Sequence, residues 1–364
     1  MGLLRTIYAL TVVLYHAWPA SSLFVGGENA VRCFYIISGF LISYILVERK
    51  SYPSLRTFYV NRYLRLYPIY VCVAVPTLIL ILASGRFGFM EVYKAAPPAA
   101  DLLLVLSNLV MFGQDWLMFL GVRDDHLVFV TNFLKSDVLL YRGQIIHPAW
   151  TLGVELSFYL IAPFILPRRK WIYGLLALSL ALRLLFIYLG FGTRDPWTYR
   201  FFPTELALFL VGALAHQVLL PQYRKLGDRI QKSAANGATW FLVAFSLVYF
   251  LIPVEEAVKR LILLFVFACG VPLTFLFQRR YALDGWIGNL SYPIYISHLP
   301  VIWACNFLSK RAGLADARLV AGICVVSTVV FAILLNQWVA VPFEKLRSRV
   351  RAQSAPRTRL SANI

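Results

Sequence analysis

The sequence predicts an all-α, polytopic membrane bundle of about ten transmembrane helices, with one further apolar segment that is re-entrant or lies on the surface. Three observations predict it. The 364 residues are 60% hydrophobic and only 14% charged, with a mean hydropathy of +0.70. Apolar runs of membrane length recur from Ile7 to about Val341 with no soluble insert. Lys and Arg gather in alternate connecting segments, as they do in multi-pass proteins.

The apolar runs cover 7–25, 30–48, 66–84, 101–120, 149–166, 171–190, 201–220, 236–253, 260–278, 286–308 and 317–341. Eleven crossings would set the basic cluster at 168–170 opposite the basic 49–65 segment. With 101–120 removed from the crossings the charges sort: 21 of the 35 Lys and Arg fall on one side with only four of the 17 acids. That side is read as cytoplasmic and holds both termini, which makes the chain a multi-pass protein of the cytoplasmic (inner) membrane, embedded in the lipid bilayer. Residues 85–148 become a long outer segment. The first run is no cleavable signal, because it is long, holds a histidine and is followed directly by an aromatic-rich second run. Residues 1–346 form the membrane domain. Residues 347–364, RSRVRAQSAPRTRLSANI, read as a basic, disordered cytoplasmic tail.

Other classes recede. The five cysteines lie in or beside apolar runs without a C-x-x-C spacing, so they read as small apolar residues and no metal site is expected. A net charge of +18 suits nucleic acid only on a basic soluble face; here it falls between spans, and no nucleic-acid partner is expected.

An intramembrane histidine is costly unless it is used or satisfied. His16 lies within the first run and Arg5 precedes it, about 16 Å lower on a helix. That spacing sets Arg5 at an interface and His16 near the midplane. A base above a cationic mouth suits chemistry on an anionic molecule; pairing of the histidine with a neighbouring helix is the plainer reading. In FYVNRYLRLYP, Arg62 and Arg65 are three apart and share a helical face, and guanidinium forks bind phosphate bidentately. Lipid-headgroup anchoring is the alternative for that pair.

Ser38-Gly39-Phe40 falls mid-span in the second run. Glu155 lies a turn or two inside WTLGVELSFY. LSYPIYISHLP carries Ser291, Tyr292, Tyr295 and His298 between prolines that free backbone groups. Helix–helix hydrogen bonding could account for each alone. Glu155 stands apart, since an unpaired carboxylate in lipid is rare. Glu205 is nearer the outer interface and Arg200.

Taken in order, R-x10-H, SGFLI, FYxxRxxRxxP, WTLGVExxFYLxxP and LSYxxYxxHxP resemble the acyltransferase-3 family of integral-membrane acyltransferases over nearly the whole chain. The resemblance implies a ten-helix enzyme that takes an acyl group, most often acetyl, from cytoplasmic acyl-CoA. The acceptor it implies is a hydroxyl of a surface or exported carbohydrate. The motif positions are Arg5, His16, Ser38, Gly39, Arg62, Arg65, Glu155, Ser291, Tyr292 and His298. The chain departs from the pattern at Gly2, Arg32 and Leu156, where the family often has acids. No hydrolase-type domain follows the membrane domain, so transfer is expected to finish there or through a partner.

On this reading Arg5, Arg62 and Arg65 bind the phosphates of acetyl-CoA, the donor substrate. His16 deprotonates the acceptor hydroxyl or forms an acyl-imidazole. Glu155 orients His16 or binds acceptor hydroxyls. Ser38, Tyr292 or the backbone near Gly39 donates to the oxyanion, with Ser291 and His298 shaping the cavity. A transporter or flippase for a lipid-linked saccharide is the alternative, although the repeat symmetry common in that class is not seen.

Overall fold

The first helix, α1 (Gly2–Ala17), starts on a carboxylate from far along the chain. In the computed structural model, which describes residues 1–19, 23–85, 88–192 and 194–353, Gly2 N and Leu3 N donate to the two oxygens of Asp284 at 2.7 and 2.8 Å. Asp284, on the short helix Ala282–Asn289, thereby satisfies amides that a helix start leaves without partners. The helix stops at Ala17 because Trp18 precedes Pro19 and takes φ −139°, ψ 77°, outside the helical region. α1 therefore has 16 residues instead of the full 7–25 run, and His16 sits in its last turn, not at mid-span.

α2 (Gly27–Ser43) continues into a π turn, Tyr44–Glu48, and α3 (Leu55–Ser84) is capped by Ser54, whose hydroxyl accepts from Thr57 N at 3.2 Å. α4 (Phe89–Ala95) and α5 (Pro98–Val110) follow, then the antiparallel hairpin β1 (Leu120–Arg123) and β2 (His126–Phe129), with Leu120 opposite Phe129 and Arg123 opposite His126. Next come α6 (Trp150–Ile165), α7 (Arg169–Tyr188), α8 (Phe202–Leu214), α9 (Leu220–Arg224), α10 (Asp228–Val248) and α11 (Glu256–Arg280). α12 is the Asp284 helix, and α13 (Ser291–Arg311), α14 (Ala317–Leu335) and α15 (Val341–Gln353) complete the bundle.

Among the described residues eight helical segments are long and apolar enough to cross a membrane. The two other expected crossings are α1, which is shorter, and α13, whose 21 residues carry the polar LSYPIYISHLP motif. α5 does not cross. Its 13 residues rise about 20 Å, short of a ~30 Å hydrocarbon core. Its free face is Leu102, Val105, Leu106 and Leu109, all exposed, while Leu104, Ser107 and Asn108 face the protein. An outward apolar face of that kind suits contact with lipid or with another protein surface.

The centre of the bundle is the crossing of α2 and α8. A Cβ on Gly39 would lie 1.9 Å from the Phe209 carbonyl oxygen, and one on Gly212 would lie 1.9 Å from that of Ile36. Only glycine permits backbones this close. Around the crossing pack Phe40, Phe158, Phe209 and Phe267, with Phe158 and Phe209 stacked at 4.4 Å. Glu205 is fully buried but paired with Arg183 at 2.5 Å rather than with Arg200, so it holds α8 to α7. Arg200 instead pairs with Asp195 at 2.7 Å.

α15 runs to Gln353, so 347–353, expected to be irregular, are helical. Arg347 is held against α3, where its Nη2 donates to Asn61 Oδ1 at 3.1 Å and its carbonyl accepts from Asn61 Nδ2 at 3.2 Å. The rest of the expected tail, 354–364, lies outside the described residues.

Candidate active site

Three cavities stand in a row beside α1. The first, about 610 Å³, opens between α1, α3, α13 and α15 and is lined by Arg5, Arg65, Tyr292, Lys345 and Arg347. The second is a chamber with about 100 Å³ of room for water, lined by Arg5, Ser38, Arg65, Glu155, Tyr159 and Tyr292. The third, about 410 Å³, is lined by His16, His147, Trp150, Tyr199, Arg200 and Tyr295. Arg5, Arg65 and Tyr292 belong to both the first and the second. Val31 and Tyr295 alone belong to both the second and the third, and form the partition between them.

The chamber is organised by Glu155. Ser38 Oγ donates to its Oε1 at 2.7 Å, and the Tyr159 hydroxyl donates to the same oxygen. Ser38 comes from α2, while Glu155 and Tyr159 are one turn apart on α6, so the network ties the two helices at the chamber wall. Tyr292 donates to the Leu66 carbonyl at 2.9 Å, which fixes its ring between the first two cavities. The α6 backbone is brought in by Gly153, where a Cβ would meet Asp115 Oδ1 at 2.2 Å.

His16 is exposed to the third cavity, in the last turn of α1. His298 of α13 stacks beneath it, with centroids 5.1 Å apart and planes at 29°. The Nδ1 of His298 lies 2.6 Å from the Tyr295 carbonyl oxygen. A carbonyl only accepts, so that nitrogen carries the hydrogen and Nε2 presents a lone pair. Among the described residues, Nε2 is buried with no hydrogen-bond partner.

Several sequence-derived sites change character. Glu155 does not orient His16: it lines the chamber, His16 lines the third cavity, and its partners are Ser38 and Tyr159. Ser38 spends its proton on that carboxylate instead of offering it to an oxyanion. Gly39 is a packing position against Phe209. Ser291 lines the chamber but bonds the Gly288 carbonyl at 2.8 Å. The Arg62–Arg65 pair is split. Arg62 is 5% exposed and donates to the Tyr52 hydroxyl at 2.6 Å and to Asn61 at 3.1 Å, while Arg65 reaches the first two cavities with Arg5. Residues three apart on a helix diverge by about 60°, enough to send one to a tyrosine and the other to a cavity.

Arg347 and Tyr159 line the cavities although neither was singled out in the sequence. Tyr159 was legible four residues after Glu155, and Tyr295, named within LSYPIYISHLP, had been given no role. Arg347 had no signal, because it followed the last apolar run. Among the described residues no carboxylate lies within ion-pair distance of Arg5 or Arg65, so these two cations of the first cavity are not matched by protein acids, whereas Glu344, on the same cavity, pairs with Arg347. Such a cavity suits a polyanion.

The acyltransferase domain family matches residues 1–337. A peptidoglycan O-acetyltransferase of Listeria monocytogenes is 27% identical over 329 residues, which cover 82% of this chain and 48% of that protein. A Staphylococcus aureus protein provisionally named an O-acetyltransferase is 25% identical over 380 residues, covering 94% of this chain and 56% of that protein. The chain thus spans about half the length of these curated relatives. No solved structure matches it. On the family match and its multi-pass helical architecture, the chain belongs to the acyltransferase domain family of membrane proteins.

Proposed function

We propose that this protein is an O-acyltransferase of the cytoplasmic membrane that moves an acetyl group from acetyl-CoA to a hydroxyl of a surface or exported carbohydrate. The observation that carries the reading is the row of cavities from unpaired arginines at the foot of α1 to His16 at its head. A coenzyme A thioester has the matching shape: a phosphate-rich head, then a thin amide-bearing arm. With the head at Arg5 and Arg65, the arm runs through the chamber past Glu155. Arg5 and His16 are about 16 Å apart along the helix, a span suited to that arm. On this reading both termini are cytoplasmic and the His16 cavity faces outward.

The third cavity suits a saccharide. Trp150 and Tyr199 offer aromatic faces, and Arg200, stacked over Trp150 at 4.3 Å, offers donors. The relative from Listeria monocytogenes, named for peptidoglycan, supports a carbohydrate acceptor. His16 removes the proton from the attacking hydroxyl. The oxygen bonds to the acetyl carbon, the carbon–sulfur bond breaks, and the thiolate leaves with coenzyme A. General-base assistance of this kind contributes about 10²–10⁴-fold in rate. Direct transfer is favoured over an acyl-imidazole, because His16 opens onto the cavity large enough for the acceptor. Mass spectrometry of surface and exported glycans, from cells with and without the gene, tests the reading. Loss of O-acetyl groups without the gene is expected; an unchanged glycan with labelled acetyl-CoA left unconsumed by membranes would return the chain to saccharide transport.

A further inference from the structure

α15 lies wholly beyond the residues that the family match covers, 1–337, yet it supplies one wall of the largest cavity in the row. Its Lys345 and Arg347 line that cavity together with Arg5 of α1 and Arg65 of α3. Arg347 is anchored on Asn61 of α3 and on Glu344 of its own helix, and its side chain is 11% exposed. Its Nε is buried and, among the described residues, has no hydrogen-bond partner. Glu344, the acid on this wall, is divided between Arg347 and Arg351. A helix that brings cations to a wall already holding Arg5 and Arg65 adds repulsion, which an anion of high charge removes.

The cations are also ordered in space. Arg5 and Arg65 border both the cavity and the chamber, whereas Lys345 and Arg347 border the cavity alone. If the arm of the donor enters the chamber, the diphosphate joined to that arm lies at Arg5 and Arg65. The end of the molecule remote from the arm then lies at α15. In coenzyme A that end carries a phosphate monoester on the ribose, with a charge near −2 and three acceptor oxygens. We propose that Arg347, assisted by Lys345, binds the ribose 3′-phosphate of the donor, so that α15 distinguishes coenzyme A from its dephospho form. This rests on the donor assignment above. The same phosphate chemistry could be met by an anionic lipid headgroup, and the experiment separates the two.

Isothermal titration of the purified full-length protein in phosphatidylcholine nanodiscs, with coenzyme A and with dephospho-coenzyme A, reads the proposal. Wild type is expected to bind coenzyme A more tightly. Arg347→Ala should weaken coenzyme A about tenfold to a hundredfold, the loss of one charge-assisted contact, and leave dephospho-coenzyme A within twofold. Arg347→Lys should fall between, because it keeps the charge and loses the fork. Retained dephospho-coenzyme A binding certifies that the variants fold. Equal weakening of both ligands overturns the proposal, and so does no weakening of either. In nanodiscs containing phosphatidylglycerol, loss of one retained phosphatidylglycerol in Arg347→Ala, with both affinities unchanged, would give the site to a lipid headgroup. A wild-type protein that binds neither ligand would overturn the donor assignment itself, and this inference with it.

Discussion

His16 and His298 stack across α1 and α13 with ring centroids 5.1 Å apart. Two positive charges at that separation cost about 3 kcal/mol at an effective dielectric constant of 20, so a proton on one ring disfavours a proton on the other. His16, open to the cavity, is the ring placed to receive a proton from a substrate. His298, tied by Nδ1 to the Tyr295 carbonyl at 2.6 Å, lies beneath it and presents a π face to an imidazolium at His16.

His298→Ala is therefore expected to lower kcat about three- to thirtyfold, the worth of one buried cation–π contact, with KM for the donor unchanged. His298→Phe should recover part of the rate, since it restores a ring. Steady-state release of coenzyme A measures both. A loss in His298→Ala as large as in His16→Ala would make His298 the base.

Glu155 and Ser38 should behave as one unit. Glu155→Gln removes the charge that holds both Ser38 and Tyr159, and a tenfold or greater loss of transfer is expected. Ser38→Ala should cost less, and the double variant should lose less than the two single losses combined. Strict additivity, read in the same assay, would mean that the network does not act together.

The arginines separate by environment. Arg5→Lys and Arg65→Lys should each raise the dissociation constant for coenzyme A by one to two decades, for about 1.5–3 kcal/mol of charge-assisted bonding. Arg62→Lys should change it less than threefold and instead lower thermal stability, because Arg62 is buried away from the first two cavities with its Nη2 bonded to Tyr52 and Asn61. Titration calorimetry and a melting curve on each variant decide; an Arg62→Lys defect confined to donor affinity would contradict the structure.

Much of this architecture was legible before the fold was known. Apolar runs mark the helices because lipid demands them, and the 101–120 run, which charge sorting set apart, overlaps the short 13-residue α5. Arg5, His16, Ser38, Glu155 and Tyr292 all reach a cavity of the row. Other features depend on contacts remote in sequence. Arg62 was captured by Tyr52 and Asn61, and Gly39 was needed by Phe209, about 170 residues away. Arg347 joined the site only because Asn61 holds α15 against α3. The early end of α1 was legible and passed over: Pro19 was in the sequence, and it moves His16 from mid-helix to the last turn.

Gly39 offers a contrast with its neighbour Ser38. Gly39→Ala drives a methyl group into the Phe209 carbonyl, and overpacking of this sort costs about 1–3 kcal/mol. Reduced melting temperature and reduced yield of folded protein are expected, with residual activity in proportion to the folded fraction. Full stability with abolished turnover would restore Gly39 to the chemistry.

The central claim is that the His16 imidazole is the base for acyl transfer from a thioester held at the arginine cavity. Purified protein given radiolabelled acetyl-CoA and a glycan acceptor tests it most directly, with wild type and His16→Ala compared at saturating donor. The account predicts acetyl transfer by wild type and none by His16→Ala, whose affinity for coenzyme A, measured alongside, stays within twofold because Arg5 and Arg65 are intact. Transfer by His16→Ala within a few-fold of wild type would contradict it.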